Sequence, residues 1–414
     1  MAPAQSLWKN IASLGALQVF NFALTLSTLP YLARTLGVTG WGHVVFVQMV
    51  LNYLCWVANW GFYLGATKRI AAERADKQVL SRIFMATWVA QWWLTALLML
   101  ILAIGIGTVP MLRDSQGLYL AGVGLLIGNA LTPLWYLNGL EKIRESAIIQ
   151  MAVKLLALPN IFIFVNDGGD AAAYLAINSI SSIIVGVLTV WWIYKSKAIG
   201  FAFPSINDVR LAIVNEYRLF VSALLANLNA TLIPAALGIW GGVTELGYYN
   251  LADRARGAAI TILHPITHAL FPRMCYLFSN EKARAMQLLK YSGASMLLLS
   301  CGMGAGLLLF SNEILAILGG AEFQQGSVAL KWLAFSPVCT TISAFIIHQI
   351  LIPSGESKGY LRAMFCTLVA SAVLIVPAVS VYGAQGAAAV SVGVEFFAVL
   401  FLILHVRSEK LLRF

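Results

Sequence analysis

Charge is what this chain of 414 residues has little of: 11% of it is Asp, Glu, Lys or Arg, against about 25% in an ordinary soluble domain. No polar interval is long enough for a soluble domain, while 60% of the residues are hydrophobic and the mean hydropathy is +0.82. The chain therefore reads as an all-α integral membrane protein. Catalytic signatures are missing as well: there is no GxSxG, HExxH or Walker loop, and acidic residues are scattered through short loops. Enzymes that assemble glycans in a membrane need a sizeable aqueous loop, whereas the longest one expected outside the cytoplasm is about Ser311 to Ser327. These absences favour moving a substrate over altering it, so the chain reads as no enzyme, without cofactor or metal. The five cysteines (Cys55, Cys275, Cys301, Cys339 and Cys366) lie in or beside apolar runs without CxxC pairing. They read as small buried residues, not as disulfides or metal ligands.

What is present is apolar length. Crossing a ~30 Å hydrocarbon core takes about 20 residues of helix, and twelve such segments are expected, centred near Phe22, Tyr53, Leu94, Ile127, Leu156, Ile184, Thr231, Leu263, Leu298, Thr340, Leu374 and Val394. The first, from Ile11 to about Ala33, is longer than the roughly 7 to 15 residues of a secretory h-region and reads as a retained span. Basic residues mark the cytoplasmic side. With the N-terminus inside, twenty-one of the 27 Lys and Arg fall in cytoplasmic loops and ends, and only Arg34 and Arg113 on the opposite side. The other four (Lys154, Arg254, Arg256, Lys331) lie in or at the edges of spans. That asymmetry places both termini in the cytoplasm. It also accounts for the formal net charge of +10 by topology and lipid head groups, with no nucleic acid.

The chain repeats itself at half its length, the mark of a transporter built from two related halves. Val38-Thr39-Gly40-Trp41-Gly42 aligns with Val243-Thr244-Glu245-Leu246-Gly247, Pro30 with Pro234, and Asn138 to Lys142 with Ser354 to Lys358. The expected divisions are an N-terminal six-helix bundle at 1–197, a cytoplasmic linker with an amphipathic helix at 198–218, and a C-terminal six-helix bundle at 219–414. Ser205 and Asp208 have capping-box spacing; Ile206, Val209, Ile213, Val214 and Tyr217 then recur at helical intervals, predicting a short helix on the membrane surface.

Ionisable groups inside the membrane are costly and usually face a wet space. In the eighth span Asp253, Arg256, Ile260, His264 and His268 recur every three or four residues, so that the polar members line one face, with Arg254 beside them, and the fifth span adds Lys154. Two arginines and a lysine suit a pyrophosphate, which Arg grips with two donors. Asp253 and Arg256 can equally pair with each other. Asn21, Asn227 and Asn229, in the first and seventh spans, are candidates to line the same space or to bond between helices. Glu395 is the other intramembrane acid; it and Asp253 are the coupling-ion candidates. The His264-Pro265 pair predicts a kink.

Four stretches carry a family resemblance by their order across the chain: LPYLARTLGVTGWG (29–42), GFYLGATKRIA (61–71), LTPLWYLNGLEK (131–142) and GYYNLADRARG (247–257). Together they resemble the polysaccharide transporter family, the flippases of lipid-linked O-antigen repeat units. The resemblance implies twelve transmembrane helices in two six-helix bundles related by pseudo-two-fold symmetry, similar to the multidrug and toxin extruder fold. It also implies an undecaprenyl-pyrophosphate oligosaccharide moved by alternating access from the cytoplasmic to the periplasmic leaflet of a bacterial inner membrane. Its implied partners are that lipid-linked oligosaccharide, membrane lipids, a polysaccharide polymerase and a chain-length regulator. The rival readings are a cation-coupled drug or metabolite antiporter of the same fold, which calls for more intramembrane acids, and a membrane polysaccharide polymerase, which calls for a longer periplasmic loop.

Overall fold

The computed structural model describes residues 4–73, 76–196, 200, 204–263, 270, 273–274, 276–277, 281–353 and 358–409, with the side chains of 4–26 and of a few later positions left undescribed. The described residues are helical almost throughout, and their contacts form two compact units, Met1–Asn227 and Leu228–Phe414.

The first unit opens with α1 (Ala4–Asn59), α2 (Phe62–Ala72) and α3 (Lys77–Thr108). The next crossing is assembled from α4 (Gln116–Gly122), α5 (Gly124–Leu131) and α6 (Leu134–Gly139), then come α7 (Ile143–Phe164), α8 (Ala171–Lys195) and α9 (Ile206–Ala236). After a π turn at Leu237–Gly241, the second unit has α10 (Val243–Thr261), α11 (Lys282–Leu309), α12 (Ser311–Gly319), α13 (Ser327–Leu333), α14 (Ser336–Phe345) and α15 (Lys358–Ser408).

Among the described residues eight helices are long and apolar enough to cross a membrane. Two of the helices, α1 with 56 residues and α15 with 51, hold two crossings each, because glycine breaks them at Gly37 and Gly383. The seventh crossing, in α9, contributes the shorter apolar helix Thr231–Gly241, and the eighth, in α10, carries Asp253, Arg254 and Arg256. Eight long helices and twelve crossings are thus the same architecture.

The internal repeat has a backbone signature. Gly37 sits at φ 67°, ψ 178° and Gly242 at φ 92°, ψ 163°, a region open essentially to glycine alone. Each glycine immediately precedes the paired Val-Thr sequence and follows a helix-interior proline, Pro30 or Pro234. In the second unit the Glu245 carboxylate accepts a hydrogen bond from the Ala384 amide at 2.7 Å, beside Gly383, and so caps the break between the last two crossings.

Residues 206–217 do not form the separate short helix that their amphipathic spacing suggests: they are the first turns of α9, a single helix of 31 residues. No proline or glycine lies between Ile206 and Ile233 to stop it. The capping box does form, with the Asp208 amide donating to Ser205 Oγ at 3.2 Å and the Ser205 amide to Asp208 Oδ2 at 3.0 Å. Val209 and Ala212 are buried in the first unit's core with Phe62, Ala66, Ile70, Phe84 and Tyr136. A second core, around Leu289, Ile350, Leu351 and Leu402, fills the other unit.

Candidate functional site

Among the described residues of the second unit, a cluster of charge is built from three helices. Arg256 projects from α10 and lies between two acids: its Nη2 is 2.7 Å from Asp253 Oδ1, one turn earlier on the same helix, and its Nη1 is 2.9 Å from Glu395 Oε1 on α15. The break before α14 supplies hydroxyls. Ser336 Oγ donates to Glu395 Oε2 at 2.6 Å and accepts from Arg256 Nη1 at 3.0 Å, while Thr340 Oγ1 donates to Glu395 Oε2 at 3.3 Å. Tyr249 is buried on α10 beside the same cluster. The Asp253 to Arg256 contact is an ion pair without hydrogen-bond alignment, so Asp253 Oδ1 and Arg256 Nε stay buried with no hydrogen bond. Ionisable groups buried in membrane helices are candidates for functional positions.

The other expected site residues are placed as follows. Arg254 Nε donates to Asn250 Oδ1, one turn back on α10, at 3.0 Å. Lys154 is half-buried on α7. Asn227 donates to the Ala223 carbonyl at 2.8 Å. His264 and His268, and the side chains of Asn21 and Asn229, lie outside the described residues, as does the His264-Pro265 pair. The pairing of Arg256 with Asp253 was readable from their three-residue spacing. Its pairing with Glu395, 139 residues away, was not, and Ser336 and Thr340 carry no sequence signal beyond being hydroxyls in an apolar run.

The first unit holds a neutral polar network that residue spacing did not reveal. Buried Gln91 donates to Asn59 Oδ1 at 3.0 Å and accepts from the Trp135 indole at 3.1 Å, and Asn129 reaches Asn59 Oδ1 at 3.4 Å. It surrounds the break between α5 and α6, where Pro133 interrupts the helix. The carbonyls freed there find partners: Trp88 Nε1 donates to Ala130 O at 2.9 Å and Thr132 Oγ1 to Gly128 O at 2.7 Å. A broken membrane helix persists when its backbone is satisfied in this way. Three amides in one apolar neighbourhood were the available signal.

A chain of twelve helical crossings in two repeated halves, with charge buried in the second, defines a polytopic transporter-type membrane protein. Its fold is shared with an inward-facing multidrug transporter of the MATE family (TM-score 0.68, 15% identity, covering 94% of this chain and 95% of that one). The lipid II flippase MurJ is similar as well (TM-score 0.67, 13% identity, covering 96% and 87%). The chain belongs to the polysaccharide biosynthesis protein family, whose model matches residues 7–278. It is 27% identical over 98% of both chains to a putative O-antigen transporter of Escherichia coli, and 23% identical to a probable low-salt glycan biosynthesis flippase of Haloferax volcanii, covering 89% of this chain and 77% of that one.

Proposed function

We propose that this protein is a flippase that carries lipid-linked oligosaccharide repeat units, such as undecaprenyl-pyrophosphate-linked O-antigen units, from the cytoplasmic to the periplasmic leaflet of a bacterial inner membrane by alternating access. The observation that carries the reading is the end-to-end match to the O-antigen transporter, 98% of each chain. The family is that of polysaccharide biosynthesis proteins, the relatives are a putative O-antigen transporter and a probable glycan biosynthesis flippase, and the chain is a transporter rather than an enzyme. The basic asymmetry of the loops supports a cytoplasmic position for both termini. A polysaccharide polymerase and a chain-length regulator are the partners this role calls for.

In this reading Arg254 and Arg256 of the second unit and Lys154 of the first are the candidates to attract the pyrophosphate, Asn227 is a further polar candidate, and Asp253 and Glu395 are the coupling-ion candidates. Asn21, Asn229, His264 and His268 stand as further candidates for that lining on sequence grounds. The test is a deletion strain with intact upstream transferases. The reading expects surface polysaccharide to be lost while the lipid-linked repeat unit still forms and accumulates on the cytoplasmic leaflet. Failure to form the repeat unit at all would point to an enzyme instead.

A further inference from the structure

Arg256 presents a guanidinium that an internal anion already holds. Glu395 accepts from Arg256 Nη1 through Oε1, and from Ser336 and Thr340 through Oε2. Both oxygens of this carboxyl group are thus engaged, one by the guanidinium and the other by two hydroxyls. Ser336 is the first residue of α14, a helix of 10 residues, so the Glu395 carboxylate also lies beside a helix N-terminus, which favours negative charge. The donors gathered on Glu395, one guanidinium and two hydroxyls, are the donors a phosphate oxygen takes.

The balance of charge points the same way. Two carboxylates, Asp253 and Glu395, face one guanidinium, so one of them can leave without exposing an unpaired buried cation. Asp253 is tied to Arg256 through their shared helix, one turn apart. Glu395 comes from a different helix, held by side-chain contacts alone, and is the member free to withdraw. Among the described residues Tyr249 and Cys339 are the other titratable groups facing the pair. Both are neutral hydrogen-bonding groups at physiological pH and leave the balance unchanged. Arg256 Nε, buried without a hydrogen bond, is one more donor in reserve.

We propose that Glu395 is a built-in competitor for the anionic group of the cargo: Arg256, Ser336 and Thr340 receive an oxygen of a phosphate ester or pyrophosphate when Glu395 swings away, while Asp253 keeps the guanidinium in place. The inference rests on the transport reading and names the part of the substrate that the second unit recognises. It makes Glu395 a positioning residue. With Glu395 on Arg256 the anion site is closed; with Glu395 protonated or displaced it opens.

The test is equilibrium binding of inorganic pyrophosphate to the full-length protein in lipid nanodiscs. Glu395→Gln keeps the shape of the side chain and removes its charge, and is expected to bind pyrophosphate at least about tenfold tighter than the wild type, a gain of ~1.4 kcal/mol. Adding Arg256→Gln to that variant is expected to abolish the gain. Glu395→Asp, one methylene shorter, gives an intermediate gain and decides the matter if Glu395→Gln does not accumulate. Unchanged or weaker binding in the Glu395 variants would overturn the proposal, as would a gain that survives Arg256→Gln. Because binding is read on purified protein, such a failure is separate from that of the transport reading, which the deletion strain tests.

Discussion

The carboxylate of Glu216 lies 3.1 Å from Nη2 of Arg69, in a space that exists because residue 65 is glycine: a Cβ there would overlap the carboxyl group. The neighbouring contacts follow the same logic. Gly61 takes φ 76° and lets the backbone of Phe220 approach, the Trp60 indole donates to the Ile213 carbonyl at 2.9 Å, and its ring stacks on Phe220 with centroids 3.9 Å apart. The Gly61 and Gly65 pair, four residues apart on one helix face, is therefore the seat of the first half of α9.

Gly65→Ala is expected to destabilise the protein by about 2 kcal/mol through the displaced carboxylate, and Glu216→Ala by a similar amount because it leaves Arg69 without its acid. The double variant should cost little more than either single one, since both break the same contact. Thermal unfolding of the detergent-solubilised proteins measures all three. Additive losses would mean that the two residues act separately.

Gly37→Ala and Gly242→Ala are expected to behave as a matched pair. Each forces a side chain into a backbone region that only glycine occupies comfortably, at about 1–3 kcal/mol, so membrane abundance should fall for both and by comparable amounts. Gly257, where a Cβ would meet nothing, is the control, and Gly257→Ala should be close to neutral.

At the start of α9, Asp208 takes two hydrogen bonds from Arg82, at 3.1 and 2.7 Å. That contact, helped by Ser205, holds its carboxyl below the usual carboxylate range. A depressed folded-state pKa contributes stability that is present above the unfolded value, about 3.9, and is lost as pH falls through the lower folded value. The unfolding midpoint of the wild type should exceed that of Asp208→Asn by a constant small margin from pH 5 to 7, and the margin should close below about pH 4. A margin that widened on acidification would contradict the assignment.

Much of the architecture was legible because a membrane imposes length and polarity directly on sequence. Twelve apolar segments, the halves repeated at Val38-Thr39 and Val243-Thr244, and the Ser205 to Asp208 cap could all be read from residue spacing. The end of an amphipathic stretch is harder to see. Helical periodicity at 206–217 says which face is apolar but not that the helix continues to Ala236. In the candidate site, the local Asp253 to Arg256 pair was visible, whereas the partnership of Arg256 with Glu395 and Ser336 depends on how α10, α14 and α15 pack, which no local pattern encodes.

If the basic residues attract a pyrophosphate, charge sign should matter more than side-chain size. Lys at Arg254 or Arg256 should keep part of the flipping activity although it lacks the two-donor fork, and Glu at Arg254, Arg256 or Lys154 should reduce it by about tenfold or more, a loss of ~1.4 kcal/mol. The readout is surface polysaccharide divided by the membrane level of each variant. Normal output per molecule from the three Glu variants would remove the binding role.

The most direct measurement follows the cargo itself: the purified protein in sealed vesicles holding a fluorescent undecaprenyl-pyrophosphate oligosaccharide, with an impermeant quencher added outside. The account predicts that the protected fraction of label falls in vesicles containing the protein and remains near half in protein-free vesicles over the same time. Equal protection in both, with the protein shown to be folded, would contradict it.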